Sequence, residues 1–322
     1  ILVTGGAGYI GSHFVKLLYK SGHQPVVVDN LIRGHKESVL NGIEFEEVDI
    51  LDYPALVSVF QTYMPDAVVH FAAFAYVGES VGKPDIYYKN NVVGSLKLIN
   101  ACAEFGVKNF VFSSTCSVYG NPVQVPIPET EFVKPINPYA NTKYMIETIL
   151  KDFETAYGMN YVALRYFNAA GADMDGEIGE SHDPETHLIP LVLQTAKKKL
   201  ENILIFGNDY DTPDGTCVRD YIHVEDLAGA HLKALEYLTN GNNSVIINLG
   251  TGQGNSVLEI IEKAKTITGR NIPFEIVGRR AGDPAILVAD NKKAKDVLGW
   301  IPKYNIDEIL KSAWHWQENQ KY

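Results

Sequence analysis

Two hydrophobic periods alternate along the first half of the chain. Short, largely β-branched runs at 1–4, 26–29, 45–48, 67–71, 109–114 and 161–166 read as strands. Between them the apolar positions recur at helical spacing. Residues 9–21 place Ile10, Phe14, Leu17 and Leu18 on one face and end at Gly22; helices are also predicted over 56–63, over one long stretch from Pro84 or Tyr87 to Phe105, and over 138–157. Strands that alternate with helices predict an α/β protein built on a doubly wound parallel Rossmann sheet. Strands that are apolar throughout fit a sheet covered on both faces.

The texture changes after Phe167. Residues 169–186 are rich in Gly and acids and carry no apolar period, which reads as a crossover loop into a second, smaller α/β domain. There, 187–200, 224–240, 256–268 and 307–318 are predicted helices, and 203–206 and 245–249 short strands. The predicted division is 1–168, joined by parts of 216–250, and 169–322. A length of 322 residues agrees with two domains of roughly 150 residues each.

Composition narrows the function. Hydrophobic residues at 46% and charged residues at 21% exclude a disordered chain. A formal net charge of −11 argues against a general binder of nucleic acid or anionic membrane. No apolar run approaches the ~18 residues of a membrane span. The three cysteines, Cys102, Cys116 and Cys217, are odd in number and form no C-x-x-C pair, which reads as a reducing, cytoplasmic setting without disulfides. The strand-like opening shows no charged segment followed by an apolar leader core.

The first strand runs into Thr4-Gly5-Gly6-Ala7-Gly8-Tyr9-Ile10-Gly11. A dinucleotide pyrophosphate requires this arrangement: a tight turn without side chains, followed by free N–H groups at the positive end of a helix. An ordinary βα turn can also be Gly-rich, but here a strand precedes the turn and a helix follows it. Asp29 ends the next strand, where a carboxylate binds both ribose hydroxyls and repels a 2′-phosphate, favouring NAD over NADP. Arg33 lies close by and is the one residue that could favour NADP. Asp49 and Ile50, past the third strand, are placed either to meet the adenine or, for Asp49, to cap a local turn.

Tyr139 and Lys143 stand four apart, one turn along one face of the helix after the fifth strand. A phenol with a reference pKa of about 10 needs roughly 4 kcal/mol of help to ionise at neutral pH, and a neighbouring ammonium can supply part of it. The fifth strand ends Ser113-Ser114-Thr115, beyond which ligands sit in open α/β sheets, so a hydroxyl there can orient a substrate oxygen. Ser113 and Thr115 can equally cap local backbone groups.

These residues resemble the extended short-chain dehydrogenase/reductase superfamily and, within it, the UDP-glucose 4-epimerase (UDP-galactose 4-epimerase) family. The resemblance covers essentially the whole chain. It includes His70-Phe71-Ala72-Ala73, Val77-Gly78-Glu79-Ser80, Tyr87-Tyr88-Lys89-Asn90-Asn91, Ser117-Val118-Tyr119-Gly120, Arg165-Tyr166-Phe167-Asn168, Val218-Arg219-Asp220-Tyr221-Ile222-His223 and Arg279-Arg280-Ala281-Gly282-Asp283. It implies an NAD-dependent isomerase in which Tyr139 exchanges a proton with the sugar 4-hydroxyl, Thr115 bonds the same oxygen and Lys143 holds the nicotinamide ribose. The implied cofactor contacts are Gly5, Gly8, Tyr9, Ile10, Gly11, Asp29, Asn30, Asp49, Ile50, Phe71, Ala72, Ala73, Asn90, Ser113, Tyr139, Lys143 and Tyr166. The implied UDP-sugar contacts are Thr115, Tyr139, Asn168, His187, Leu188, Phe206, Arg219, Tyr221, Arg280 and Asp283, with Leu287 at the position that gates the 2-acetamido sugars. A homodimer built on the helices that begin near Pro84 and Pro138 is also implied, with Val92, Leu96, Ile99, Met145, Ile149 and Phe153 as its apolar surface.

Two departures stand out. Ala75 replaces a Lys found in some members, and His187-Leu188 replaces Asn-Leu. Sugar-nucleotide 4,6-dehydratases share the Tyr and Lys but carry acids where this chain has Thr115-Cys116-Ser117, and a sensor that has lost catalysis could share the fold. His182, Asp183, Glu185 and His187 are of metal-ligand type, yet Pro184 interrupts them in a polar loop, so no metal is expected. Cys116 reads as packing.

Overall fold

The β-branched runs form the expected strands: β1 (Leu2–Thr4), β2 (Val26–Asp29), β3 (Glu44–Glu47), β4 (Ala67–His70), β5 (Asn109–Thr115) and β6 (Asn160–Tyr166). A seventh, Val245–Leu249, pairs with β6, giving one seven-stranded sheet in the order Val245–Leu249, β6, β5, β4, β1, β2, β3. Every adjacent pair is parallel. The strand order reverses between β1 and β4, which opens a crevice beyond their carboxyl ends. The structure, a computed structural model, describes residues 1–280 and 283–322; Ala281 and Gly282 of the Arg-Arg-Ala-Gly-Asp segment lie outside the described residues.

Helices cover both faces of the sheet. On one face, Tyr9–Lys20 and Val224–Thr239 bury Phe14, Leu18, Leu227 and Leu235 against Val3, Val27, Val69 and Val111. On the other, Tyr53–Tyr63, Gly94–Glu104 and Pro138–Tyr157 bury Leu56, Phe60, Leu98, Ile146 and Leu150 against Leu2, Val28, Val68 and Phe112. The strand Val245–Leu249 and the helix before it thus join the first sheet after the chain has left it. Among the outer elements, Val218–His223 pairs with Asn168–Ala170, Gly254–Ser256 and Ile286–Leu287, while Ile203–Phe206 pairs with Phe274–Val277. Helices Leu188–Ala196, Val257–Thr268 and Ile306–Glu318 close over them around Leu193, Ile205, Tyr221, Ile260 and Ile309.

The long helix expected from Pro84 to Phe105 is corrected. It is broken into Pro84–Tyr87, a π-helical turn Tyr88–Val93 and Gly94–Glu104, with a separate short helix Val77–Gly82 before it. Two buried amides lie in the widened turn. The Asn91 side-chain oxygen accepts from the Phe74 N–H at 2.8 Å, and its amide donates to the Phe74 carbonyl at 3.0 Å and the Thr142 hydroxyl at 3.1 Å. The π-turn therefore presents Asn90 and Asn91 inward and ties the segment after β4 to the helix that carries Tyr139; such turns cluster at functional sites.

That helix starts where the sequence dictates. Asn137 caps it, accepting from the Ala140 N–H at 2.9 Å, and Pro138 occupies the first turn, where no N–H is needed. Its middle is fixed by a buried ion pair. Arg165 on β6 grips Glu147 through Nε at 2.9 Å and a terminal nitrogen at 2.6 Å, and its other terminal nitrogen donates to the Tyr119 hydroxyl at 3.0 Å. The Ser114 hydroxyl also donates to Glu147, at 2.6 Å. Replacing Glu147 with Ala leaves the Arg165 charge buried and unpaired, so we expect a loss of about 3–5 kcal/mol in chemical denaturation. A loss below about 1 kcal/mol would show that the pair does not hold the helix.

Candidate active site

The glycine turn is bare because it has no room for a side chain. Gly5 has φ of +72°, and a Cβ there would stand 2.4 Å from the Ala72 nitrogen; a Cβ on Gly11 would stand 2.1 Å from the Gly5 carbonyl oxygen. Gly8 begins the helix Tyr9–Lys20 without a capping side chain, so the first N–H groups are left for an anion. Gly5, Gly8, Asp29, Asn30, Ile50, Phe71, Ala72, Ala73 and Asn90 line one cleft at the switch point. This bare, N–H-rich cradle beside a carboxylate fits a dinucleotide.

Asp29 accepts from the Ala7 N–H at 3.1 Å and the Leu31 N–H at 2.9 Å, and burial holds its carboxyl above the usual range. Arg33 is already committed: it donates to the Asp183 carbonyl at 2.9 Å, pairs with Glu79 at 3.2 Å and stacks 4.6 Å over Tyr76. Arg33 also lines the cleft, beside Asp29, with its guanidinium held by these contacts. Asp49 sits outside the lining and braces the turn, accepting from Asn30 at 3.1 Å and from the Leu51 N–H at 2.8 Å. Tyr9 donates to the Gly171 carbonyl at 2.6 Å, and Ile10 packs into the sheet core. The Phe71 ring turns inward onto His231, 4.6 Å away, so the cleft meets mainly its backbone side.

Tyr139, Lys143 and Thr115 are all buried at the carboxyl end of β5. The Lys143 ammonium donates to the Ser113 carbonyl at 2.7 Å and lies 5.0 Å over the Phe112 ring. Burial lowers its pKa to about 7, with Glu147 acting in the opposite direction. Burial also pushes the Tyr139 phenol well up, Tyr166 adds to the rise, and the Thr115 hydroxyl offsets part of it. Thr115 also accepts from the Ser117 N–H at 3.2 Å, the local capping role that the sequence allowed. The Ser113 hydroxyl bonds that of Tyr166. Cys116 is buried with its thiol pushed up to about 12, which leaves it inert.

A second cavity, of about 660 Å³, is lined by other residues. Asn168, His187, Leu188, Phe206, Arg219, Tyr221, Arg280 and Asp283 line it together with Ala75, Tyr76 and Cys217. Arg280 stacks 4.4 Å over Phe206, and Arg219 lies 3.6 Å from Asp283, so two guanidinium groups face one pocket able to take a diphosphate. Leu287 is placed differently. It pairs in register with Arg219 and packs on the cluster of Cys116, Val118, Phe167 and Ala289 rather than on the cavity wall.

The comparisons with known proteins agree with this geometry. The family model described as "NAD dependent epimerase/dehydratase family" matches residues 1–250. The chain belongs to that family. A UDP-glucose 4-epimerase of Rhizobium leguminosarum bv. trifolii is 52% identical over 316 residues, covering 98% of this chain and 96% of the relative. The crystal structure of UDP-glucose 4-epimerase from Brucella ovis in complex with NAD superposes with a TM-score of 0.95 at 51% identity, covering 98% of this chain and 97% of that one. The Bifidobacterium longum UDP-glucose 4-epimerase in complex with NAD+ and UDP gives a TM-score of 0.94 at 38% identity, covering 99% and 98%.

Several residues of this epimerase/dehydratase site escaped the sequence reading. Glu147 lies one turn beyond Lys143 on the same face, a spacing that could have exposed it; its partner Arg165 could not be paired from sequence. His70, between the Thr4 hydroxyl at 2.6 Å and the Ser95 hydroxyl at 2.7 Å, is kept neutral by burial, which lowers its pKa to about 3. The loop around Pro184, expected to scatter its polar residues, gathers them instead: Glu180, His182, Glu185 and His187 converge, whereas Asp183 offers only its carbonyl to Arg33.

Proposed function

We infer that the chain interconverts UDP-galactose and UDP-glucose by NAD-dependent 4-epimerisation through a transient 4-keto sugar. The reading rests on one observation: the fold holds together a bare dinucleotide cradle, a buried Tyr139, Lys143 and Thr115 group at the carboxyl end of β5, and a cavity with two guanidinium groups. NAD bound at Gly5, Gly8, Gly11 and Asp29 supplies a hydride acceptor that becomes the donor, so the cycle needs no other redox partner. Tyr139 takes the 4-hydroxyl proton as C4 is oxidised and returns it when the ketone is reduced on its other face. Thr115 holds that oxygen. Lys143, when protonated, favours the phenolate and meets the nicotinamide ribose. Arg219 and Arg280 hold the diphosphate, while Asn168, Leu188, Phe206, Tyr221 and Asp283 seat the rest of the nucleotide. The cavity's volume of about 660 Å³ falls in the range of small-molecule sites. The division of labour follows residues 1–168 with parts of 216–250 for the cofactor and 169–322 for the sugar nucleotide.

Purified protein given UDP-galactose should form UDP-glucose; loss of water from the sugar would instead mark a dehydratase. In the same assay Tyr139→Phe should lower turnover at least ~10²-fold with NAD still bound. Lys143→Met removes the ammonium that favours the phenolate, so the acidic limb of the pH–rate profile should move to higher pH. Near-normal turnover of Tyr139→Phe would remove it as the acid/base, and an unmoved limb would leave Lys143 only a ribose contact.

Side activity on the UDP-N-acetylhexosamine pair belongs to this reading; Leu287 lies off the cavity wall, so it would act on that choice only through Cys116 and Arg219. It is smaller than Tyr and packs against Cys116, next to Thr115. Leu287→Tyr should reduce kcat/KM for the acetamido pair relative to the glucose/galactose pair. An unchanged ratio would place the gate elsewhere.

A homodimer in the cytoplasm completes the reading. All three cysteines are free and buried, and no helix among the described residues is long and apolar enough to cross a membrane. Val93, Tyr144 and Met145 are exposed along the two long helical segments. Ile99, assigned to the dimer surface from sequence, is instead fully buried in the chain's own core. Light scattering at micromolar concentration should give twice the chain mass; a monomer would remove the dimer.

A further inference from the structure

The loop between Ala170 and Leu188 holds a cluster of four ionisable side chains, of which only His187 lines the sugar-nucleotide cavity. Glu180, His182, Glu185 and His187 bring one donor atom each to within 4.8 Å of one another. His182 Nδ1 lies 3.3 Å from Glu180 Oε1 and 3.5 Å from Glu185 Oε2. His187 Nδ1 lies 2.9 Å from Glu180 Oε1 and 2.9 Å from Glu185 Oε1. Four ligands at the usual ~2.0–2.1 Å around a tetrahedral zinc ion stand about 3.3 Å apart. The four carboxylate–imidazole separations bracket that edge, with Glu185 turning a different oxygen to each histidine.

The hydrogen bonding points the same way. Glu180 is only 5% exposed, yet its Oε1 accepts no well-aligned hydrogen bond, and neither does the buried His182 Nδ1 find a partner. His187 Nδ1, by contrast, is bonded to Glu185 Oε1 at 2.9 Å, and that oxygen also accepts from the Thr186 and His187 N–H groups at 2.7 and 2.8 Å. Among the described residues, the salt-bridge partners of Glu180 and Glu185 are His182 and His187 alone, with no Lys or Arg. Two buried carboxylates therefore need two positive charges, and two neutral imidazoles plus two carboxylates form a donor set suited to a borderline divalent cation. The other occupant with the right charge is a proton on each imidazole.

We propose that Glu180, His182, Glu185 and His187 form a structural binding site for a divalent transition-metal ion, zinc in the first instance. The Trp316 indole N–H holds the Glu180 carbonyl at 2.9 Å, and the rings of Tyr9 and Tyr76 stand edge-on to His182 at 6.2 and 6.1 Å. His187 immediately precedes the helix Leu188–Ala196 and lines the sugar-nucleotide cavity. The ion would therefore clamp the loop between the nucleotide cradle and that cavity. It takes no part in hydride or proton transfer, and the proposal stands whether or not the substrate assignment does.

The test uses the NAD-loaded protein, treated with chelator and then given Zn(II) alone. One equivalent should bind per chain, and Tm should rise by about 4 °C at a hundredfold excess over Kd. Co(II) in place of zinc should give the intense visible bands of a four-coordinate ion. Both signals should vanish in Glu180→Gln and His182→Gln variants that still bind NAD. The Co(II) spectrum of the unaltered protein decides the matter even if a variant does not fold. Absence of stoichiometric uptake by the unaltered protein, a six-coordinate Co(II) spectrum, or equal uptake by His182→Gln would overturn the site and leave protonated imidazoles as the neutralising charge.

Discussion

One buried guanidinium sets the height on the sheet of the helix that carries Tyr139 and Lys143. Arg165 is fixed within β6, and its two bonds to Glu147 fix Pro138–Tyr157 against both translation and rotation. Glu147 lies one turn beyond Lys143 and two beyond Tyr139, so whatever orients it orients the reacting phenol. A fork of two parallel hydrogen bonds has one geometry, which a Lys in place of Arg165 would not reproduce. The pair is a costly means of gaining cohesion, because both charges leave water. What it supplies is register. The Glu147 charge also reaches Lys143 and works against the burial that discharges it.

The same burial explains how the phenol is governed. In the chain alone, both members of the Tyr139 and Lys143 pair are driven towards their neutral forms, since desolvation is the leading influence on each. A base kept neutral in this way ionises only when further positive charge arrives. Under the proposed function, that charge would come from the nicotinamide of the bound cofactor.

Legibility in the sequence followed the range of the forces involved. The glycine turn could be read because its demand is local: a positive φ at Gly5 and a lack of space at Gly11 leave glycine as the residue that fits. The helix carrying Tyr139 could be read from its cap and proline. The π-turn at Tyr88–Val93 could not, because it is fixed by bonds from Asn91 to Phe74 and Thr142 across the fold. Leu287, expected at the sugar gate, lies on the Cys116 cluster through strand pairing that no local pattern reveals. The loop near Pro184 misled for the opposite reason. Its polarity suggested solvent, while Trp316 and Tyr322, far along the chain, cover it and draw its acids inward.

The late return of the chain to its first sheet bears on how the protein is made. Val245–Leu249 supplies the outer neighbour of β6, and the helix Val224–Thr239 covers one face of the central strands. A nascent chain that has emerged only as far as Phe167 therefore has an open strand edge and a bare apolar face, both prone to association with other chains. It must wait through the synthesis of about 80 further residues, at roughly 5–20 per second, before the sheet can close. During those seconds the protein is at its most vulnerable, and chaperone capture is most useful on the ribosome, between β6 and its missing partner.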